Sequence, residues 1–238
     1  MARLALGGGR GYTGADLLRL LIGHPELELV LASSGSRAGH SLREACPEWP
    51  VRDQRFEALE IGEVASVDVD AWVLAVPNGA ASAWAAAISG SHPESVIVDL
   101  SADHRFSTRW VYGLPERYRD EIAGARHIAN PGCYATGMQL GLLPLAGRLD
   151  GPPVAFGVSG YSGAGRTPSP RNDPERLADN LQPYALTGHV HEREVSHQLD
   201  HPVRFLPHVA QFFRGIGLTI AATLEEPVLS AQLSDAVL

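Results

Sequence analysis

Ala2-Arg3-Leu4-Ala5-Leu6-Gly7-Gly8-Gly9-Arg10-Gly11-Tyr12-Thr13-Gly14 runs from a short apolar stretch into a glycine-rich break. Behind it, Ala15-Asp16-Leu17-Leu18-Arg19-Leu20-Leu21-Ile22 carries apolar residues at helical spacing and stops at Gly23-His24-Pro25. A buried strand, a glycine turn and a helix, in that order, cradle a dinucleotide pyrophosphate. Glycine lets the backbone approach the phosphates, and the helix start supplies N–H donors and positive potential. The spacing Gly8-x-x-Gly11-x-x-Gly14 is a variant of the usual fingerprint, and its position after the first strand gives it weight. Gly8, Gly11, Tyr12, Thr13 and Gly14 are the candidate cofactor residues of this turn.

Leu27-Glu28-Leu29-Val30-Leu31-Ala32 reads as the next strand, ending in Ser33-Ser34-Gly35-Ser36-Arg37. In such a fold the adenosine ribose sits there. An acidic residue would bond both ribose hydroxyls, whereas hydroxyls and an arginine suit a 2′-phosphate. Ser36 and Arg37 therefore point to NADP over NAD, against the plainer reading of a polar loop with one solvated arginine. Residues 40–69 have mixed polarity and yield no clear element. Asp70–Val76 reads as a strand that ends in the turn Pro77-Asn78-Gly79; Ala80–Ile88 reads as a helix and Ser95–Leu100 as a strand that leads into Ser101-Ala102-Asp103-His104-Arg105. Strands alternating with helices imply an α/β fold with a doubly wound parallel sheet, whose post-strand loops gather at the ligand-binding edge.

Ile128-Ala129-Asn130-Pro131-Gly132-Cys133-Tyr134 repeats the pattern with a thiol at the break, followed by Met138, Leu140, Leu142, Leu143 and Leu145 in a helical stretch. A helix start favours thiolate over thiol, which makes Cys133 a candidate nucleophile; the bland alternative is a small buried residue. Further on, Val154–Ser159 reads as a strand and Gly160-Tyr161-Ser162-Gly163-Ala164-Gly165-Arg166 as either a flexible linker or an anion-binding loop. Thr167–Arg176 is Pro-rich, charged loop. Gly188-His189-Val190-His191-Glu192-Arg193-Glu194 places two histidines two apart, too few ligands for a metal site. Val203–His208 and Ile216–Thr223 are strand-like.

Composition bounds the chemistry. At 238 residues and 45% hydrophobic, the chain can bury one large core or two small ones. A net charge of −8 without a basic block argues against nucleic acid as partner. All 19 basic residues are arginine, which excludes lysine base and Schiff-base chemistry and leaves Arg, His and backbone N–H to hold an anion. The two cysteines, Cys46 and Cys133, form neither a disulfide framework nor a metal knuckle. No apolar run is long enough for a membrane span or signal peptide, so a soluble, cytoplasmic protein is expected.

These pieces resemble the N-acetyl-gamma-glutamyl-phosphate reductase family of arginine biosynthesis. The resemblance rests on Gly11-Tyr12-Thr13-Gly14, Asp99-Leu100-Ser101-Ala102-Asp103, Tyr112-Gly113-Leu114-Pro115-Glu116 and Asn130-Pro131-Gly132-Cys133-Tyr134. It continues with Ser162–Arg166, Gly188-His189-x-His191 with Glu194, and Leu206-Pro207-His208 ahead of Arg214-Gly215-Ile216. It implies an NADP-binding Rossmann-type domain, 1–148, and an α+β substrate and dimerisation domain, 149–238. It further implies Cys133 as nucleophile, the acid/base among His189 and His191 without ranking them, and Glu194 as orienting carboxylate. Arg105, Asn130, Ser162, Gly163 and Arg166 are the candidates for substrate phosphate and carboxylate. The implied reaction is NADPH-dependent reduction of a small acyl phosphate to an aldehyde through a cysteine thioester, by a homo-oligomer (dimer or tetramer).

The chain departs from the family pattern at several positions. Asn78 stands for a histidine, His104 for an aromatic, Val190 for an arginine and Arg193 for a proline. The family's C-terminal portion is absent; a helix expected from Ala231, N-capped by Ser230, stops at Leu238. Two other readings compete: a related reductase acting on carrier-bound glutamyl or aminoadipyl phosphate, and a partial chain that binds nucleotide without turnover.

Overall fold

The computed structural model describes residues 1–227; the helix expected from Ser230 to Leu238 lies outside the described residues. The chain packs as two units, Met1–Pro131 and a second beginning at Gly132.

In the first unit, β1 (Ala2–Gly7), β2 (Leu27–Ala32), β3 (Ala71–Leu74), β4 (Val96–Asp99), β5 (Val111–Tyr112) and β6 (His127–Ala129) form one sheet. Its order is β2-β1-β3-β4-β6-β5, and every pairing is parallel. Strand alternation divides the core. Leu4 and Leu6 face one side with Leu18 and Leu21 of α1 (Tyr12–Leu21). Ala5 faces the other with Trp72, Leu74 and the Ala81, Ala85 and Ile88 stripe of α2 (Ala81–Ser91). Each large side chain so buried contributes about 1.5–3 kcal/mol relative to exposure. The sheet is doubly wound, and its order reverses between β1 and β3, where ligands bind in such folds.

Helix α1 begins at Tyr12, three residues before the expected start, because Gly11 in extended conformation (φ −77, ψ 179) serves as its N-cap. Residues 40–69, unreadable as periodic elements, fold as short 3-10 turns at Leu42–Glu44 and Ile61–Ser66. Leu42, Cys46, Trp49 and Phe56 reach the α1 side of the core, and Val64 and Val69 the α2 side. These are single anchors spaced by turns, so neither a period of two nor of 3.6 emerges from them.

In the second unit, β7 (Val154–Gly160), β8 (Leu181–Pro183), β9 (Arg204–Ala210) and β10 (Ile216–Ala221) form a mixed sheet of order β10-β7-β9-β8. The β7–β9 pair is parallel and the outer pairs antiparallel. The first unit also carries α3 (Pro115–Ala123) and the second the short α5 (Pro174–Leu177). Helix α5 opens inside the stretch expected as loop because Asp173 caps it and Pro174 starts it. Helix α4 (Cys133–Leu142) lays Tyr134, Ala135, Met138 and Leu142 into a core with Ala155, Phe205 and Val195 of α6 (Val190–Leu199). That packing is why the division between units falls before Cys133, upstream of residue 148. Leu140, though at an apolar position, is exposed, and α4 gives way to a 3-10 turn at Leu143–Leu145. Val154 and Phe156 are exposed on the sheet. No helix among the described residues is long and apolar enough to cross a membrane.

Candidate functional site

In the first unit, the glycines of the first turn divide into those the protein itself requires and one it does not. Gly8 has φ +83, and a Cβ there would lie 2.7 Å from the Ala75 carbonyl oxygen. The turns after β1 and β3 thus touch at the switch point. A Cβ on Gly14 would lie 2.5 Å from the Gly9 oxygen, so helix α1 sits directly on the turn. At Gly11 a Cβ meets nothing nearer than Thr13 N at 4.0 Å. The space over Gly11, at the start of α1, is open to a ligand that approaches the backbone. The turn is held from below by Gly9 N–H on the Ser33 carbonyl (2.8 Å) and Gly8 N–H on Ser33 Oγ (3.3 Å).

Beside it, at the end of β2, Arg10 donates to Ser36 Oγ at 3.4 Å. Ser34 Oγ and Arg37 Nη1 are both enclosed and have no hydrogen-bond partner. A buried hydroxyl and guanidinium N–H left unsatisfied cost stability unless something accepts from them. A phosphate accepts from both, so this corner fits the 2′-phosphate of NADP. Of the residues at this corner, Ser34 was the least visible in sequence, one serine among three in Ser33–Ser36.

The Ser101–Arg105 loop is strongly tied. Asp103 accepts from Gly79 N–H (2.7 Å) and Ala81 N–H (3.0 Å), and Asn78 Oδ1 accepts from Ala102 N–H (3.0 Å). Arg105 is buried and donates to the Asn130 carbonyl (2.9 Å) and the Leu100 carbonyl (3.2 Å). Its guanidinium therefore braces the loop after β4 against the one after β6, and Asn130 Nδ2 donates to the Pro131 carbonyl (3.1 Å).

In the second unit, Gly132 is the N-cap of α4 and Cys133 its first residue, exposed. Glu194, fully buried on α6, accepts from Gly132 N–H at 2.8 Å. One carboxylate thereby fixes the turn that presents the thiol. At the start of α6, His189 is the N-cap and its Nδ1 accepts from His191 N–H at 3.1 Å. That acceptance leaves the ring proton on Nε2. The two imidazoles meet edge-on at 4.8 Å, and the His191 ring lies 6.2 Å from that of Tyr134, next to Cys133. His189 is half-buried, and its pKa is lowered by burial first, then by Arg171, against a smaller opposing pull from Glu192. Glu192 also accepts from Phe205 N–H (2.9 Å), which pins α6 to β9.

Two tyrosines complete this cluster. Tyr134 donates to the His208 carbonyl (3.0 Å) and its pKa is raised, chiefly by burial. A Cβ on Gly157 would lie 2.5 Å from the Tyr134 ring, so glycine in β7 makes room for it. Tyr184, packed edge-on against His189 at 5.7 Å and under Arg171 at 5.0 Å, is likewise raised by burial, with Cys133 adding to the shift. No motif marked Tyr184; it follows a proline in an irregular stretch. Ser162 and Gly163 lie in a 3-10 turn, Tyr161–Ala164, fastened by Ser162 N–H on the Phe213 carbonyl (2.9 Å), with Arg166 exposed just beyond. Asn172 closes the following loop by donating to the Gly165 and Thr167 carbonyls, both at 2.8 Å. Cys133, His189, His191 and Glu194 thus come together in the second unit, while the glycine turn, Ser36, Arg37, Arg105 and Asn130 belong to the first.

Comparison with known proteins adds a family frame. Residues 3–125 match the model "Semialdehyde dehydrogenase, NAD binding domain" and residues 133–237 "Semialdehyde dehydrogenase, dimerisation domain". N-acetyl-gamma-glutamyl-phosphate reductase of Xanthomonas campestris pv. campestris (strain B100) is 52% identical over 226 residues, 95% of this chain and 71% of that protein. The protein of the same name from Stenotrophomonas maltophilia (strain R551-3) is 56% identical over 216 residues, 91% of this chain and 68% of that one. Among solved structures, aspartate semialdehyde dehydrogenase II from Vibrio cholerae superposes with a TM-score of 0.75 at 18% identity, covering 99% of this chain and 78% of that one. Aspartate semialdehyde dehydrogenase with NADP from Candida albicans gives 0.73 at 15% identity, covering 99% and 75%. At such identities the structures share a fold.

Proposed function

The chain belongs to the N-acetyl-gamma-glutamyl-phosphate reductase family, and from that premise we propose that it reduces N-acetyl-gamma-glutamyl phosphate to N-acetylglutamate semialdehyde, with NADPH as reductant. The observation that carries this reading is the Glu194 carboxylate on Gly132 N–H, which holds Cys133 at a helix start near the histidine pair.

The Cys133 thiolate attacks the acyl carbon, and the C–O bond to phosphate breaks, releasing inorganic phosphate and leaving a thioester. The N–H groups and dipole at the start of α4 favour the thiolate and stabilise the oxyanion of the tetrahedral adduct. When bound, NADPH supplies the hydride that reduces the acyl carbon of the thioester. His189 carries its proton on Nε2 while its Nδ1 caps α6, so its role is donor to the oxyanion as charge develops there. The tetrahedral oxyanion, held by that Nε2–H hydrogen bond, then collapses with cleavage of its C–S bond, giving aldehyde and free thiolate, while the imidazole keeps its proton. His191, Arg166, Ser162 and Gly163 are assigned to the substrate's phosphate and carboxylate. Arg105 and Asn130 act through the loops they brace.

Gly8, Gly11, Tyr12, Thr13 and Gly14 would hold the pyrophosphate, and Ser34, Ser36 and Arg37 the 2′-phosphate. The first unit is thereby the cofactor domain and the second the substrate domain. The exposed Val154 and Phe156 on β7 suit pairing with a second copy, as a dimer. Incubating the 238-residue chain with N-acetylglutamate semialdehyde, phosphate and NADP⁺ should give phosphate-dependent NADPH absorbance. No NADPH from a folded, NADP-binding chain would overturn the reading.

A further inference from the structure

His104 departs from the aromatic expected at its position, and its surroundings in the first unit are those of a proton relay. Asp99 is fully buried at the end of β4. Its carboxylate accepts from Ser101 N–H (2.8 Å) and Ser101 Oγ–H (2.9 Å), and lies 2.7 Å from His104 Nδ1. An ionised carboxylate only accepts, so Nδ1 carries the imidazole proton and Nε2 presents its lone pair. That lone pair faces Ser82 Oγ at 3.2 Å. Trp110 stacks on the imidazole at 3.9 Å with 10° between planes, which fixes the ring's orientation. Ser82 is exposed, the second residue of α2.

Donors for an oxyanion lie beside the hydroxyl. With Ala80 as N-cap, the N–H groups of Ser82 and Ala83 precede the first bond of the helix ladder. Asp103 takes the N–H groups of Gly79 and Ala81 and leaves these two. A hydroxyl on an imidazole that a buried carboxylate orients, next to unpaired helix N–H groups, has the geometry of an acyl-transfer centre.

We propose that Ser82, His104 and Asp99 form a second catalytic centre that hydrolyses small, activated carboxylic esters. Ser82 Oγ attacks the ester carbonyl as its proton passes to His104 Nε2, and Asp99 steadies the imidazolium. The C–O bond to the leaving alcohol breaks, the alcohol takes the proton from Nε2, and an acyl-Ser82 ester remains. Water, deprotonated by the same nitrogen, attacks that ester and releases the acid and free Ser82. Small, activated substrates are specified because Ser82 stands on an exposed helix start.

The test uses the full chain carrying Cys133→Ala, since the Cys133 thiol itself attacks esters. The probes are p-nitrophenyl acetate and a fluorophosphonate. Steady p-nitrophenol release is expected, with the phosphonyl group mapped to Ser82 by peptide mass. Ser82→Ala and His104→Phe should each lower the rate about 100-fold or more, the usual worth of a nucleophile–base pair. His104→Phe keeps an aromatic against Trp110 but has no proton acceptor. Should that variant fail to fold, Ser82→Ala decides, because it alters only an exposed hydroxyl. An unlabelled Ser82, or hydrolysis undiminished by Ser82→Ala, overturns the proposal.

Discussion

Replacing Arg37 by alanine should change which nicotinamide cofactor the chain prefers. In the free protein, Arg37 Nη1 is enclosed without a partner, as is Ser34 Oγ nearby. A 2′-phosphate would accept from both. A hydrogen bond to a charged group is worth about 1.5–3 kcal/mol, so Arg37→Ala should lower kcat/KM for NADPH about 10- to 150-fold. NADH has nothing to offer that nitrogen, so its kcat/KM should move less than about threefold. Ser34→Ala removes one donor and should sit at the low end, about tenfold. A thermal-shift series gives an independent readout. NADPH at 100 times its Kd stabilises the parent by about 2.7 kcal/mol, and a 100-fold weaker complex at that concentration retains about 0.4 kcal/mol. Without cofactor, Arg37→Ala should not destabilise the chain, because the lost side chain left an N–H unsatisfied. A parent that prefers NADH, or an equal fall for both cofactors, would refute the 2′-phosphate assignment.

Cys133→Ser should abolish reduction while NADPH affinity, measured by titration on the same preparation, stays within about threefold, since the serine leaves the glycine turn untouched. Glu194→Ala leaves Gly132 N–H buried without its acceptor and should cost about 1–3 kcal/mol in urea unfolding, with a large fall in kcat; Glu194→Gln keeps an acceptor oxygen and should lose less of both, and equal losses would show that geometry at Gly132 is not what the carboxylate provides. Burial holds the His189 pKa below the ordinary histidine value of about 6.5, so its contribution to stability is present above that pH and is lost as pH falls through the lower folded value. His189→Asn retains an N-cap acceptor but cannot titrate, so unfolding followed between pH 7 and 5 (roughly spanning that window) should lose this part of its slope. For turnover, His189→Ala should lower kcat and His191→Ala should mainly raise KM; matching profiles would undo that ranking.

Much of this was written in local pattern. The first strand, glycine turn and helix were legible because each follows from neighbours in sequence: apolar alternation, a break, then a helical stripe. Cys133 was legible for the same reason, since a Pro-Gly break before an apolar helix places it at the helix start. Residues 40–69 were opaque because Leu42, Cys46, Trp49 and Phe56 enter the core one at a time from turns. Tyr184 was opaque because its neighbours, His189 and Arg171, come from different segments and carry no joint signal.

The histidine pair shows where pattern ends and geometry begins. In sequence, His189 and His191 are equivalent: same residue, two positions apart, on either side of Val190. What separates them is a helix boundary between them. His189 stands outside α6 as its cap and turns Nδ1 toward the backbone N–H of His191, one of the donors the helix cannot satisfy internally. That single bond decides the tautomer, because a nitrogen that accepts cannot hold the proton. Protonating Nδ1 would set two donors against each other, which opposes the imidazolium in the same direction as burial does. A cap that stabilises the helix therefore also fixes His189 as a neutral Nε2–H donor. Two residues further on, the same helix carries His191 one turn ahead of Glu194, whose carboxylate fixes the Gly132 turn. The spacing His-x-His-x-x-Glu is thus one cap, one first-turn side chain and one buried anchor on a single helix, three roles that depend on where α6 starts.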